Sequence, residues 1–251
     1  FEGQDILSYD KKRLKALRKD MQIIFQDPFA SLNPRMTVAE AIAAPLVVQN
    51  VYSRRDKKGL RKKVAEFMDL VGLAPRLVNT YPHELDGGRR QRIGIARALS
   101  VNPKFIVCDE PVSALDVSIQ AQILNLLMDL QEEIGLTYLF ITHNLSVVKH
   151  ISNEIAVMYL GQCVERAPSK ELFQNPMHPY TKALLAAVPV PDLRYRGQKR
   201  EAIRGEVTSP IDPKPGCRFA DRCPHATEAC RSQVDLVERT PGHFVACTLY
   251  Q

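Results

Sequence analysis

The chain has 251 residues, of which 45% are hydrophobic and 25% are charged, and its formal net charge is +6 at pH 7. These values are ordinary for a globular protein, and the length suffices for one full domain with a smaller appendage. No apolar run approaches the ~20 residues that a bilayer-spanning helix requires, so no transmembrane span is predicted within these residues. No signal-peptide pattern is present either.

Basic residues cluster at Lys11–Lys19 and Arg54–Lys63. Three interpretations are compatible with them: a nucleic-acid patch, a surface near anionic lipid, or a solvated helix face. In the second cluster the charges fall opposite an apolar helical stripe, which favours the solvated face. That stripe consists of Leu60, Val64, Phe67, Met68 and Val71.

The first hundred residues predict two strands and a block of helices. Strands are expected at residues 1–7 and 20–26, with a basic helix over residues 11–18 between them. A helix capped near Thr37 follows, in which Pro45 predicts a kink or break. Further helices are expected over residues 59–72 and, after a glycine turn, over about 88–100. Because residues 37–101 contain no clear strand, they are predicted to be a helical subdomain inserted between two parts of a sheet.

From Lys104 onward, apolar strands alternate with helices. The segments FIVCD, TYLFIT and NEIAVMYL are predicted strands, and SIQAQILNLLMDLQEEI is an amphipathic helix. Unbroken apolar strands alternating with helices predict an α/β fold with a parallel sheet covered on both faces. After Pro168 the composition shifts, with eight prolines among residues 168–215. This stretch is predicted to be a linker or extended arm with a short helix near Tyr180–Ala187, followed by a cysteine-bearing tail.

Polar side chains follow three of the predicted strands. Asp109 and Glu110 end the strand FIVCD, an arrangement by which α/β proteins hold Mg²⁺ and polarise a water molecule. His143 follows TYLFIT, where it can bond a phosphate oxygen, and Gln26 ends the second strand, where its amide can bond Mg²⁺. Taken singly, these residues could equally be a solvated strand end, a surface histidine or an ordinary glutamine.

A glycine turn, Asp86-Gly87-Gly88, begins the basic helix. A helix N-terminus offers unpaired N–H groups to an anion, and glycines allow a close approach. An ordinary helix cap is the alternative interpretation.

Six cysteines are present, and four of them lie within the last part of the chain. Cys108 is expected in the core, and Cys163 has no obvious role. The others, with the spacing C-x5-C-x6-C-x16-C, are Cys217, Cys223, Cys230 and Cys247.

Together these motifs resemble the nucleotide-binding subunits of ABC transporters, and the resemblance covers essentially the whole chain. The segments that correspond to the glutamine loop, the signature motif, the Walker B strand, the D-loop and the switch histidine are QDPFASLNPRMTVAEAI, LDGGRRQRIGIARAL, FIVCDE, SALD and THN. The segment MYLGQCVERAPSKELFQNPMHPYTKALLAAVP and the cysteine tail are similar to the oligopeptide/dipeptide importer branch.

The resemblance implies a fold and a division into domains. The fold is the ABC-type P-loop NTPase core, with an inserted helical subdomain and a small, irregular, cysteine-containing extension. Residues 1–167 would form the ATPase domain and residues 168–251 the extension.

The resemblance also implies the ligands and the roles of individual residues. The ligands are ATP and Mg²⁺. Glu110 would position the attacking water, Gln26 and Asp109 would serve Mg²⁺, and His143 would sense the γ-phosphate. The signature residues and the D-loop would contact nucleotide through Asp86, Gly87, Gly88 and Asp116.

The partners implied are a second ATPase subunit, identical or different, two transmembrane permease subunits and, indirectly, an external solute-binding protein. The loop at Asp27–Arg35 would touch a coupling helix of the permease at the cytoplasmic face of the cell membrane. The cargo would be peptides, with nickel as another possibility. No nucleic acid is expected. A reducing compartment disfavours disulfides, so the four tail cysteines are expected to hold a 4Fe-4S cluster, with structural zinc as the alternative.

Two features depart from the family pattern. The 251 residues contain no Gly-x-x-x-x-Gly-Lys-Ser/Thr phosphate loop, so they are expected to begin within the sheet and to be inactive alone. Asp86 and Arg89 stand where the family usually has serine and glutamine. An ionised Asp86 would repel the γ-phosphate unless the Arg89 guanidinium reaches the same oxygens, which predicts a weakened composite site. The alternative functions are a non-transport ABC ATPase acting on nucleic acid and a non-catalytic docking or metal-carrying fragment.

Overall fold

The computed structural model describes residues 1–188, 205, 209, 211–213 and 215–250. By its internal contacts the chain divides into two units, Phe1–His143 and Asn144–Gln251. Residues 144–167, assigned from the sequence to the ATPase domain, therefore lie in the second unit. Part of the stretch predicted as a linker or extended arm, residues 189–204, 206–208, 210 and 214, lies outside the described ranges.

A parallel three-stranded sheet organises the first unit. Its strands are β1 (Met21–Ile24), β2 (Phe105–Asp109) and β3 (Thr137–Ile141), with β2 in the middle. This arrangement confirms the predicted α/β class. The connections are helical: α1 (Lys11–Asp20) precedes β1, and α5 (Val117–Ile134) joins β2 to β3.

One face of this sheet is much better covered than the other. Ile24, Ile106 and Cys108 are at most 1% exposed, as predicted for Cys108. On the opposite face, Leu139 and Ile141 are 51% and 46% exposed. The prediction of a sheet covered on both faces is therefore wrong for the residues that the structure describes.

Residues 37–101 are helical and contain no strand, as predicted. The three helices are α2 (Val38–Val48), α3 (Lys57–Leu70) and α4 (Gly87–Leu99). α2 begins with a capping box, in which the Thr37 hydroxyl accepts the Glu40 N–H and the Glu40 carboxylate accepts the Thr37 N–H. The helix runs through Pro45, so the predicted break does not occur.

The predicted strand over residues 1–7 is wrong. Glu2 and Gly3 have positive φ angles of 48° and 76°, which no regular strand accommodates. Ile6–Ser8 then forms a 3₁₀ turn, capped by the Asp5 carboxylate that accepts the Leu7 N–H at 2.9 Å. The local side-chain hydrogen bond thus competes successfully with strand pairing.

The second unit contains an antiparallel sheet in the order β4-β5-β7-β6. Its strands are β4 (Glu154–Tyr159), β5 (Gln162–Pro168), β6 (Val237–Thr240) and β7 (His243–Val245). The segment NEIAVMYL, predicted as a strand of the parallel sheet, is β4 and turns back into β5 instead.

The hairpin between β4 and β5 has a local cause. Leu160 and Gly161 both have positive φ angles, 45° and 77°, as a type I′ turn requires. Side chains in β4 alternate strictly between exposed and buried, which is typical of a sheet with one solvated face.

Helices and one aromatic cluster pack against this sheet. The helices are α6 (Leu145–Ile151), α7 (Ser169–Gln174) and α8 (Pro179–Ala187), of which α8 matches the predicted short helix. Phe219 is 1% exposed and contacts the rings of Tyr159 and Tyr180 at centroid distances of 5.3 Å. Residues 168–188 are therefore packed structure and not an extended arm.

A buried carboxylate connects three segments of the second unit. Glu165 on β5 and His243 on β7 are both completely buried, and their Oε1 and Nε2 atoms lie 2.7 Å apart. Glu165 also accepts the N–H groups of Met177 and His178, at 2.6 and 3.0 Å. The charge is thus satisfied by one imidazole and two amides, which a buried carboxylate requires.

We predict that Glu165→Ala destabilises the protein by about 3–5 kcal/mol, because it leaves His243 and two amide groups buried without their partner. Urea unfolding measures the change. Glu154→Ala is the matched control, since Glu154 pairs with Arg166 at 3.0 Å on the surface and should contribute at most about 1 kcal/mol. Equal losses in the two variants would contradict the role given to Glu165.

Candidate functional site

Three side chains from the carboxyl ends of the parallel strands meet at one edge of the sheet. The Gln26 amide Nε2 donates to Glu110 Oε2 at 3.0 Å, and the His143 ring Nδ1 lies 2.9 Å from Glu110 Oε1. Gln26 lies two residues beyond β1, Glu110 directly follows β2, and His143 lies two residues beyond β3. The structure thus brings together the amide, the acid and the imidazole that the sequence singled out.

Glu110 itself has an unusual backbone. Its φ angle is 43°, in the left-handed region that glutamate seldom adopts. The conformation is held from both sides, because the Glu110 N–H donates to Ile141 O at 2.9 Å and its carbonyl accepts the Ser113 N–H at 3.2 Å. Strain that the surrounding structure enforces in this way is typical of functional sites.

The environment of Glu110 favours its ionised form. The hydrogen bond with His143 is the largest influence and lowers the pKa of the Glu110 carboxyl below its usual value. Partial burial opposes this shift, and Ser113 adds to it. A carboxylate that stays ionised can accept a proton from water.

Asp109 is the last residue of β2 and pairs in register with Ile141. In the part of the chain that the structure describes, its carboxylate has no hydrogen-bond or ion-pair partner. The Gln26 amide donates through nitrogen, so its oxygen also remains available. Carboxylate and amide oxygens are the kind of ligand that a hard cation such as Mg²⁺ takes, so each of the two side chains has the chemistry of a Mg²⁺ ligand.

The loop after Gln26 is organised by Asp27. Its Oδ1 accepts the N–H groups of Phe29 and Ala30, at 2.7 and 3.2 Å. Leu32 is only 3% exposed and fixes the loop to the interior, whereas the Phe29 side chain is 58% exposed.

Asp86 is the N-cap of α4. One of its carboxylate oxygens accepts the Arg89 N–H at 2.8 Å, and the other lies 2.8 Å from the Arg89 guanidinium. Arg89 therefore neutralises Asp86 directly. The pair lies at the surface, with side chains 51% and 58% exposed.

The two signature glycines lie where the start of α4 packs closely against neighbouring side chains. A Cβ atom on Gly88 would lie 2.7 Å from the Ile119 side chain, and one on Gly87 would lie 3.1 Å from Leu115. The start of α4 thus packs closely against the residues around the start of α5. Asp116 caps α5 by accepting the Ile119 N–H at 3.0 Å.

The four tail cysteines line one small cavity, together with His178 and His225. Burial raises the pKa of three of their thiols, those of Cys217, Cys223 and Cys247. Burial also acts to raise the pKa of Cys230, but hydrogen bonds from Thr227 and Thr248 outweigh it and lower the pKa.

This arrangement does not fit a metal centre as it stands. Over the ranges that the structure describes, no group of three or more His, Cys, Asp or Glu side chains is placed to hold a metal ion. Neither the predicted 4Fe-4S cluster nor zinc is therefore supported by the geometry.

No helix among the described residues combines the length and the apolar character that crossing a membrane would take.

The family model described as "ABC transporter" matches residues 1–113, and the one described as "Oligopeptide/dipeptide transporter, C-terminal region" matches residues 164–230. A solved structure of cbiO1 from Clostridium perfringens, part of an ABC transporter complex, has a TM-score of 0.61 at 28% identity. The alignment covers 70% of this chain and 67% of that one. A dimeric, post-hydrolysis structure of the ATP-binding cassette MJ0796, bound to ADP and Pi, has a TM-score of 0.59 at 30% identity. That alignment covers 67% of this chain and 72% of the MJ0796 chain. The fold and the matches define the chain as an ABC-type ATPase.

Two relatives indicate the family within this class of ATPases to which the chain belongs. The oligopeptide transport ATP-binding protein AppF of Bacillus subtilis is 54% identical, with 100% of this chain and 76% of AppF aligned. The corresponding protein OppF of Salmonella typhimurium is 51% identical, over 98% of this chain and 73% of OppF. The chain belongs to the family of oligopeptide transport ATP-binding proteins.

Several residues at or beside the site were not predicted from the sequence. No sequence pattern indicates that Ser113 helps to hold Glu110. The sequence identifies Arg90 and Arg97 only as members of a basic helix, although both contact the loop after Gln26. Their position on the side of α4 that faces the core, next to buried alanine and isoleucine residues, is the one signal that could have indicated internal contacts.

Proposed function

We propose that this chain is the ATP-hydrolysing subunit of an ABC importer for oligopeptides or dipeptides, with nickel as the other cargo that the resemblance allows. The family membership supports the transport role. The Glu110 carboxylate, held between Gln26 and His143 at hydrogen-bond distance, is the observation that carries the catalytic role.

In the proposed mechanism, Glu110 orients and polarises the water that attacks the γ-phosphate in line. Gln26 and Asp109 would hold Mg²⁺, and the ion would supply positive charge to the phosphate site. His143 contacts Glu110 through Nδ1, and in its imidazolium form the Nε2–H group would also donate to a γ-phosphate oxygen. The His143 side chain is 75% exposed, which leaves room for the nucleotide.

The proposal includes a pair of ATPase subunits, identical or different, bound to two permease subunits at the cytoplasmic face of the cell membrane. The external solute-binding protein acts only indirectly. ATP would lie between the phosphate loop of one subunit and Asp86, Gly87, Gly88 and Asp116 of the other. The loop at Asp27–Arg35 offers the exposed ring of Phe29 to a coupling helix of the permease.

We also infer that the signature beginning at Asp86 completes a weak composite nucleotide site. Its carboxylate occupies the N-terminus of α4, where unpaired N–H groups would otherwise attract phosphate. Because Arg89 neutralises the carboxylate, the repulsion is smaller than the ~4 kcal/mol expected for an unpaired charge at about 4 Å. The Arg89 guanidinium is nevertheless paired with Asp86 and not free to bind phosphate. Position 86 also carries no hydroxyl that could donate a hydrogen bond to the γ-phosphate.

We predict that Glu110→Gln in the full-length protein lowers ATP hydrolysis by about 10²–10⁴-fold, because the amide cannot accept a proton. ATP binding should persist. Glu66→Gln is the control, since Glu66 also pairs with a cation, Lys63, but on the surface of α3. The 251 residues alone contain no phosphate loop, and we expect them to hydrolyse no ATP above background. Hydrolysis that survives Glu110→Gln would refute the catalytic role.

The signature hypothesis predicts that Asp86→Ser strengthens ATP-driven association of the subunits about tenfold, measured in a Glu110→Gln background by sedimentation. Serine removes the negative charge, retains the helix cap and adds a hydroxyl donor. Glu66→Ser removes a comparable exposed carboxylate elsewhere and should change nothing. Unaltered or weaker association in Asp86→Ser would contradict the hypothesis.

The 4Fe-4S cluster remains a prediction of the family resemblance, and it would require the thiols to rearrange. A chain that carries the cluster contains iron and acid-labile sulfide in equal amounts after anaerobic purification, and Cys230→Ser removes both. Zinc without iron, or no metal at all, would contradict the cluster.

A further inference from the structure

We propose that Arg90 and Arg97 are positioning residues that tie the loop at Asp27–Arg35 to α4, so that a displacement of this loop is transmitted to the signature at the start of that helix. The proposal rests on the proposed function for one point only, the identity of the partner that displaces the loop. The connection between the loop and α4, called the tie below, consists of contacts within this chain.

Arg90 is the stronger of the two connections. It lies on the first turn of α4 and is only 8% exposed. Its guanidinium lies 3.7 Å from the centroid of the Phe29 ring. The same guanidinium donates to Pro82 O at 2.5 Å and to His83 O at 3.1 Å.

These contacts place one rigid group between two segments. Phe29 belongs to the loop after Gln26, whereas Pro82 and His83 lead directly into Leu85 and Asp86. A guanidinium is planar and can stack on a ring while its edge donates hydrogen bonds in fixed directions. A shift of the Phe29 ring therefore moves or strains the segment that precedes the signature.

Arg97 provides a second contact further along the same helix. Its guanidinium donates to Ser31 O at 2.5 Å and lies 5.9 Å from the centroid of the Phe25 ring. The loop is thus attached to α4 at positions seven residues apart in the helix. Attachment at two points constrains the rotation of the loop relative to α4 as well as the distance between the loop and the helix.

Arg92 offers a matched control on the same helix. It is partly buried like Arg97, but it donates to Val71 O at 2.6 Å and reaches Gln122. Within the part of the chain that the structure describes, no hydrogen bond or cation–π contact joins Arg92 to residues 27–35. A general loss of α4 stability should therefore appear equally in Arg92→Ala.

The tie is tested by hydrogen exchange on the full-length protein. In Arg90→Ala, amide groups of residues 27–35 and of residues 81–88 should exchange about five- to tenfold faster, both segments together, because the shared cation–π and hydrogen bonds are lost. Phe29→Leu should reproduce this pattern, and Arg90→Lys should give an intermediate one. Faster exchange in only one segment, or the same pattern in Arg92→Ala, would overturn the tie.

Transmission is tested in the assembled transporter in lipid vesicles, as the ratio of substrate-stimulated to basal ATP hydrolysis. Arg90→Ala should lower this ratio about fivefold, while Arg92→Ala keeps it. Combining Arg90→Ala with Phe29→Leu should lower it no further, because both remove the same contact. An unchanged ratio in Arg90→Ala would refute the claim that loop displacement is transmitted to the signature through Arg90. If the unsubstituted transporter shows no stimulation, the proposed function fails, and the exchange experiment still decides whether the tie exists.

Discussion

The parallel register of β1, β2 and β3 is the constraint on which the candidate site depends. Met21 lies opposite Phe105, and Phe105 lies opposite Thr137, so the three strands end at the same edge of the sheet. Gln26, Glu110 and His143 are far apart in the chain but follow these ends within two residues. Parallel pairing thus converts three short-range sequence features into one cluster, and the left-handed turn at Glu110 directs its carboxylate into that cluster.

In the second unit, a single buried carboxylate plays the corresponding structural role. Glu165 is 78 residues from His243 and about a dozen residues from the segment before α8, and it bonds to both. Such a charge is retained only when every partner is in place, because removing one leaves the others buried and unpaired. The strand pairing of β5 with β7 and the start of α8 are therefore fixed by the same group. The cysteine cavity is connected to it through His178, whose Nε2 lies 4.0 Å from Cys217 Sγ.

The sequence predicted the features that are set by local patterns. Apolar strands, the helix cap at Thr37 and the order of the polar strand ends all follow from short-range chemistry, and the structure contains them. The sequence-based prediction failed where strand pairing depends on residues far apart in the chain. The segment NEIAVMYL has a strand pattern, but only the Leu160-Gly161 turn that follows it indicates an antiparallel partner. Residues 1–7 alternate like a strand, yet Asp5 and two positive φ angles produce a turn. The pairing of Asp86 with Arg89 was also open, because an i, i+3 spacing allows contact without requiring it.

The basic character of α4 bears on the choice between a transport subunit and an ATPase that acts on nucleic acid. A phosphate-binding surface requires exposed cationic side chains, but of the arginines in this helix Arg90 is buried and Arg92 and Arg97 are partly buried. Arg90, Arg92 and Arg97 donate to backbone carbonyls of Pro82, Val71 and Ser31, in three different segments. Arg89, which is exposed, is paired with Asp86. The positive charge of this helix is thus used mainly to hold neighbouring segments in place, which gives no support to the nucleic-acid alternative.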